Sequence, residues 1–181
     1  MKPIDRFSYE LGAADCFCEM VRAGVKRLAL AHPCDSPQER AAVAARILAA
    51  LPEWFGIPES TAQYVEDCKT LPFVAVCDGE TPVGFLALRQ TAPQAGEVDV
   101  MGTLPAYHRK GAGRALLAWA ERYARAAGWK LLQVKTVDAS HPSPEYARTR
   151  AFYHAMGFVD LECFPTLWDA GNPCLVLVKA L

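Results

Sequence analysis

The segment "VMGTLPAYHRKGAGRALLAWAERYARAAG", residues 100–128, limits the fold more than any other. An apolar stretch ends at Pro105, a basic turn carries Gly111 and Gly113, and a long amphipathic helix follows. Leu116, Ala120, Tyr123, Ala124 and Ala127 share one face of that helix, with Arg114, Glu121, Arg122 and Arg125 facing outward. Gly128 is its natural C-terminal cap. A strand, a glycine turn and a helix start together outline an anion site. The first N–H groups of a helix have no intrahelical acceptor, and the helix dipole places partial positive charge there. Gly111 and Gly113 let a ligand approach those groups without a Cβ in the way, and Arg109, Lys110 and Arg114 add charge. The fitting guest is a phosphate or pyrophosphate. The G-x-x-x-x-G-K-[ST] of a Walker loop is absent. A dinucleotide fingerprint needs a third glycine where Leu116 stands, with an acidic ribose partner about 20 residues on. Taken alone, G-x-G is more often a turn with solvated charges than a site.

The elements around this segment describe a mixed sheet. Residues 1–24 form an appendage, in which "AADCFCEMVRAG" reads as a short helix ending at Gly24. "VKRLALAH" (25–32) alternates as a strand, ended by His32–Pro33. Ser36, Pro37 and Glu39 make a capping box, and Val43, Ala44, Ile47, Leu48 and Leu51 lie on one face of the helix that Pro52 closes. A second helix spans roughly Ser60 to Cys68. Two apolar runs flank Asp78-Gly79 as a hairpin. "EVDVMGTL" (97–104) reads as an alternating strand, and "KLLQVKTV" as the strand after the long helix. Ser143 and Pro144 open another helix, through about Met156, before Gly157 stops it. "FVDLECF" and "PCLVLVKAL" complete the chain as strands. The order β-α-α-β-β-β-α-β-α-β-β is that of an α+β domain, mostly antiparallel, with one β-α-β crossover at its centre.

Composition narrows the function classes. A net charge of −1 argues against a broad nucleic-acid-binding face, because basic character is confined to "HRKGAGR". Seven scattered cysteines with no C-x-x-C, several inside apolar runs, point to a reducing cytoplasm. "MKPIDRFSYE" lacks an apolar signal core, and no apolar stretch reaches spanning length, so no membrane partner is expected. No His/Cys/Asp cluster has metal-ligand spacing.

"HRKGAG", with "VMGTLP" before it and "RALL" after it, resembles the acyl-CoA-binding motif Q/R-x-x-G-x-G/A of the GNAT superfamily of N-acetyltransferases. "TRAFYHAMGF" (149–158) is similar to that family's later A-x-x-F-Y-x-x-x-G-F segment. The resemblance spans residues 25–181 in element order. His108 stands in the Q/R position, and Tyr146 and Thr149 stand where the family usually has Asn and Ala. The resemblance implies a GNAT-like, mostly antiparallel sheet flanked by helices, whose central strands splay apart. It implies that Met101, Gly102 and Thr103 offer backbone groups to pantetheine and the acetyl carbonyl. It implies too that Arg109, Lys110, Gly111, Ala112, Gly113 and Arg114 hold the pyrophosphate of acetyl-CoA. Gly102 also fits as a strand glycine marking a bulge or a close ligand approach.

The reaction so implied is direct acetyl transfer to a primary amine of a small molecule or peptide, which calls for a base, an oxyanion donor and a proton for the departing thiolate. Glu97 opens the strand where some family members keep a catalytic glutamate, and Asp99 shares its face as the alternative. Tyr153 matches the Tyr of the family's F-Y pair and is the candidate acid. Trp54 and Phe55, between the first two helices, and Tyr64, in the second, are candidates for lining the acceptor site, and nearby acidic residues suit a cationic amine. His141 is a weaker candidate, while His32 and His154 read as structural. A non-catalytic acyl-CoA sensor on the same fold is the alternative. Family members often pair, and "CLVLVKAL" or the N-terminal arm would serve a homodimer.

Overall fold

Ser36 starts the first helix by the expected reciprocal contacts. Its hydroxyl accepts from the Glu39 N–H at 3.2 Å, and its own N–H donates to the Glu39 carboxylate. The computed structural model describes residues 28–31 and 36–181. The 1–24 appendage with its short helix, and the His32–Pro33 strand end, lie outside the described residues. Elsewhere the expected order holds: β1 (Leu28–Ala31), α1 (Pro37–Ala49), α2 (Pro58–Asp67), β2 (Phe73–Asp78), β3 (Thr81–Ala92), β4 (Ala95–Thr103), α3 (Ala112–Ala126), β5 (Leu131–Val137), α4 (Pro144–Ala155), β6 (Val159–Asp169) and β7 (Asn172–Ala180), with a 3-10 turn at Pro105–Tyr107.

Seven strands form one sheet in the order β1-β2-β3-β4-β5-β7-β6. Every neighbouring pair is antiparallel except β4 and β5, which the α3 crossover makes parallel. That parallel ladder is short: Ala95, Gly96 and Glu97 face Leu131, Leu132 and Gln133, and there it stops. From Val98 onward β4 pairs with β3 alone, and from Val134 onward β5 pairs with β7 alone. The central strands splay, as the family resemblance implies.

Two features set the angle of the splay. At the closed end, a Cβ on Gly96 would lie 1.8 Å from the Trp129 ring, so only glycine lets that indole lie across β4. The adjacent Lys130 N–H donates to the Gln94 carbonyl at 2.7 Å, holding the two strands together. At the opening, β4 carries a bulge: Val98 faces Leu88 and Val100 faces Ala87, leaving Asp99 without an opposite residue. Bulges bend a strand and re-aim its side chains.

The bulge corrects the expected alternation of residues 97–104. Val98 packs with Leu116, Ala120 and Leu132 on the α3 side of the sheet, yet Val100 packs with Ile47 and Phe85 on the α1 side. Glu97 and Asp99 stay on one face, whereas Met101 joins the α3 side. The Gly102 expectation changes with it. The bulge sits at Asp99, and the space a Gly102 Cβ would take is filled by Ile47 and Leu51, each 3.1 Å away.

Smaller boundaries shift for local reasons. The second helix begins at Pro58 and not at Ser60, since Pro suits a first helical turn. Ala127 is exposed at the end of α3, and Leu117 is buried in its place. β6 runs past Phe164 to Asp169, whose carboxylate accepts the Gly171 and Asn172 N–H groups and so closes a hairpin with β7.

Gly96→Ala is expected to lower stability by about 1–3 kcal/mol through overpacking against Trp129. Urea unfolding followed by tryptophan fluorescence checks this, and an unchanged midpoint would contradict the Trp129 packing.

Candidate active site

The gap between β4 and β5 opens into a cleft of about 1760 Å³, walled by α4, the start of α3 and the α1–α2 connection. A single small ligand typically occupies about 300–1,000 Å³, so this cleft has room for two reactants end to end.

One end is built from the turn before α3. Arg109 (φ 62°) and Gly111 (φ 89°) are left-handed, and Ala112 then begins the helix. The Ala115 N–H donates to the Gly111 carbonyl at 3.0 Å, the first bond of α3, which leaves the N–H groups of Ala112, Gly113 and Arg114 without helical acceptors. Arg109, Lys110 and Arg114 are exposed around them. The donors and charges suit a phosphate. Ala112 contributes backbone only, because its methyl group is buried in the core. Gly113 has a packing reason as well: a Cβ there would meet the Phe152 ring at 3.0 Å and the Met101 methyl at 3.3 Å.

His108, in the family's Q/R position, turns inward. Its Nε2 lies 2.9 Å from the Thr103 carbonyl, and its ring meets the edge of Trp54. The Tyr107 hydroxyl donates to Asp78 at 2.7 Å. These contacts fix the turn to the end of β4 and to the β2–β3 hairpin. Met101, Gly102 and Thr103 line the cleft along an edge of β4 that has no strand beside it.

The other end holds the carboxylates. Glu97 is buried where the parallel ladder stops, and its Oε2 accepts from Lys135 Nζ (2.7 Å) and Gln133 Nε2 (2.9 Å). Asp99 accepts from Arg89 Nε at 2.6 Å through Oδ1, and Arg89 also bridges to Asp67 on α2 at 2.5 Å. The other Asp99 oxygen, Oδ2, is buried without a partner among the described residues. Burial pushes the Asp99 carboxyl up from its ordinary value, outweighing the opposing pull of Arg89. Tyr64, whose hydroxyl is pushed up by burial and then by Asp99 and Glu97, lines the cleft beside them. Tyr153 is buried against Phe152 and Phe158, and desolvation pushes its hydroxyl well up.

The aromatic candidates form a bridge. The Trp54 indole N–H donates to the Thr149 hydroxyl, and the Tyr146 hydroxyl donates to the Trp54 carbonyl, both at 3.0 Å. Two of the three positions that depart from the family's pattern, Tyr146 and Thr149, thus tie the α1–α2 connection to α4 across the cleft. Phe55 meets Tyr64 edge-on. His141 accepts the Ser143 N–H in the turn before α4, and His154 sits on the surface beside Asp160. Among the described residues no His, Cys, Asp and Glu group has the arrangement of a metal site.

Sequence reasoning passed over Lys135, Gln133 and Arg89. A signal was present: Gln133 and Lys135 are alternate polar residues in "KLLQVKTV", otherwise an apolar central strand, and so must share one face.

A sheet parted at its centre beside a helix N-terminus is the architecture of the acetyltransferases. Residues 42–158 match the Acetyltransferase (GNAT) family, and the chain belongs to it. A comparison with curated proteins gives no match. Among solved structures, the IAA acetyltransferase from Bacillus cereus is similar with a TM-score of 0.66 and 18% identity, over 86% of this chain and 100% of that one. The ribosomal-protein-S18-alanine N-acetyltransferase from Escherichia coli gives 0.67 and 14%, over 85% and 94%. An aminoglycoside 6'-N-acetyltransferase complexed with coenzyme A gives 0.61 and 17%, over 77% and 89%. At these identities the shared property is the fold. No helix among the described residues is long and apolar enough to cross a membrane.

The raised Asp99 carboxyl has a consequence for stability. The folded state holds its proton more tightly than the unfolded chain, so its contribution is fully present below the ordinary value of 3.8 and is lost as pH rises through the folded value. Urea unfolding across pH 3.5–7 is expected to show wild type losing stability relative to Asp99→Asn as pH rises through this window. A gap that widens in favour of wild type would contradict the burial of Asp99.

Proposed function

We propose that this protein is an acetyl-CoA-dependent N-acetyltransferase that passes an acetyl group directly to a primary amine of a small molecule or peptide. The observation that carries this reading is the end of the β4–β5 ladder at Glu97–Gln133. It lines up a carboxylate, an open strand edge and a helix N-terminus along one cleft. Bound acetyl-CoA supplies an activated acetyl thioester. The N–H groups of Gly111, Ala112, Gly113 and Arg114, with the side chains of Arg109, Lys110 and Arg114, hold its pyrophosphate. Backbone groups of Met101, Gly102 and Thr103 bond the pantetheine arm as an added strand would, and an N–H near Met101 steadies the acetyl carbonyl oxygen.

Glu97 is the base. Lys135 and Gln133 hold Oε2, so Oε1 takes the proton from the incoming ammonium, directly or through one water. Asp99 remains the alternative. Tyr153 is the acid: its hydroxyl, kept protonated by burial, donates to the sulfur as the C–S bond breaks and takes up in exchange a proton that the amine loses, so no buried tyrosinate is left. Trp54, Phe55 and Tyr64 line the acceptor side. The expected compartment is the cytoplasm, where thiols such as the buried Cys68 and Cys174 stay reduced.

Release of free coenzyme A thiol, followed over a panel of primary amines, tests the proposal. Glu97→Gln is expected to lower kcat/KM by roughly 10²–10⁴-fold, the span of a lost general base. Tyr153→Phe is expected to lower kcat with little change in KM for acetyl-CoA. Tight acetyl-CoA binding with no thiol release from any amine would overturn the enzyme reading in favour of a sensor.

A further inference from the structure

The network at the reacting end is unbalanced. Glu97 pairs with Lys135, while Arg89 serves both Asp67 and Asp99, so three carboxylates share two cations. The deficit falls on Asp99. Its side chain is nine-tenths buried, Arg89 engages Oδ1 only, and Oδ2 meets no protein donor among the described residues. A buried carboxylate oxygen left unpaired is costly, and native structures resolve such a cost with a ligand or an ordered water.

The strand's own alternation gives this oxygen a place in the reaction. Glu97 and Asp99 share one face of β4 and both line the acceptor cleft. Two steps along a strand separate them by roughly 6–7 Å. A simple alkylamine whose nitrogen surrenders its proton at Glu97 offers nothing to Asp99. A molecule with a second positive group about four carbons away reaches both. Trp54, Phe55 and Tyr64 wall this space, and aromatic faces attract an organic cation.

Building on the N-acetyltransferase reading above, we propose that the acceptor is a diamine or polyamine. Asp99 Oδ2 holds one ammonium group as a charge-assisted hydrogen bond, while the other amine is presented to Glu97 and acetylated. The amine nitrogen forms the new C–N bond as the thioester C–S bond breaks. Of the two protons the ammonium loses, one leaves through Glu97, and the other reaches the departing thiolate by way of Tyr153, giving free thiol. Asp99 selects the acceptor while Glu97 takes the proton.

Thiol release is measured with n-butylamine and with 1,4-diaminobutane, on wild type and on Asp99→Asn, at matched acetyl-CoA. Wild type is expected to favour the diamine by about tenfold or more in kcat/KM, chiefly through KM, as suits a hydrogen bond to a charged group. Two equivalent amino groups account for only a factor of two. In Asp99→Asn the ratio is expected to fall toward that factor. A wild-type ratio of two or less overturns the proposal, whether or not the variant folds. So does a ratio that Asp99→Asn leaves unchanged. Turnover of monoamines without preference for diamines sinks this inference alone. Acetyl-CoA binding with no turnover of any amine sinks the acetyltransferase reading, and this inference with it.

Discussion

The structure depends on the separation of β4 from β5. A parallel pair at the centre of a sheet would ordinarily continue its ladder and bury the backbone on both sides. Here the ladder is held at one end by Trp129 lying over Gly96, and is released after Glu97. Release leaves one edge of β4 without a strand, and unpaired backbone groups demand partners. The bulge at Asp99 turns the freed half of β4, so that Val100 and Gly102 pack under α1 while Met101 faces α3. The proposed acyl-CoA site uses this edge, and α3 begins at its far end with N–H groups that have no helical acceptor.

Residues that depart from the family's usual pattern do defined work in this frame. His108 sits by the Thr103 carbonyl, fixing the glycine turn to β4. Tyr146 and Thr149 both bond Trp54, one at its carbonyl and the other at its indole N–H. The α1–α2 connection is thereby braced from α4. The glycine turn and the α1–α2 connection meet at the Trp54–His108 contact, so the two ends of the cleft share one packed junction.

Much of this was legible in the residues. Capping signals at Ser36 and Ser143, the Asp78-Gly79 turn and the helix ending at Gly128 are local chemistry, and each held. The motif residues around Gly111 fixed the place of the cleft. What escaped was non-local. A bulge depends on the register of β3 against β4, and the one residue of "EVDVMGTL" that suggests a bulge, Gly102, lies three positions from where it falls. Gly102 and Gly113 line the cleft, and they have a packing reason that spacing does not record, since a Cβ on either would meet Ile47 and Leu51 or Phe152. The Arg89–Asp67–Asp99 bridge joins three elements that are separate in the chain. Sequence spacing carries no record of such a meeting.

The central claim is that the opened edge of β4 and the start of α3 form one acyl-CoA site. Calorimetric titration of the full chain with acetyl-CoA, and with acetyl-pantetheine lacking the nucleotide, tests it most directly. The account predicts saturable binding of acetyl-CoA and far weaker binding of the nucleotide-free arm, because the α3 turn contributes only when a pyrophosphate is present. Failure of both to bind would contradict the account, and the basic turn would then be a charged loop on an α+β sheet.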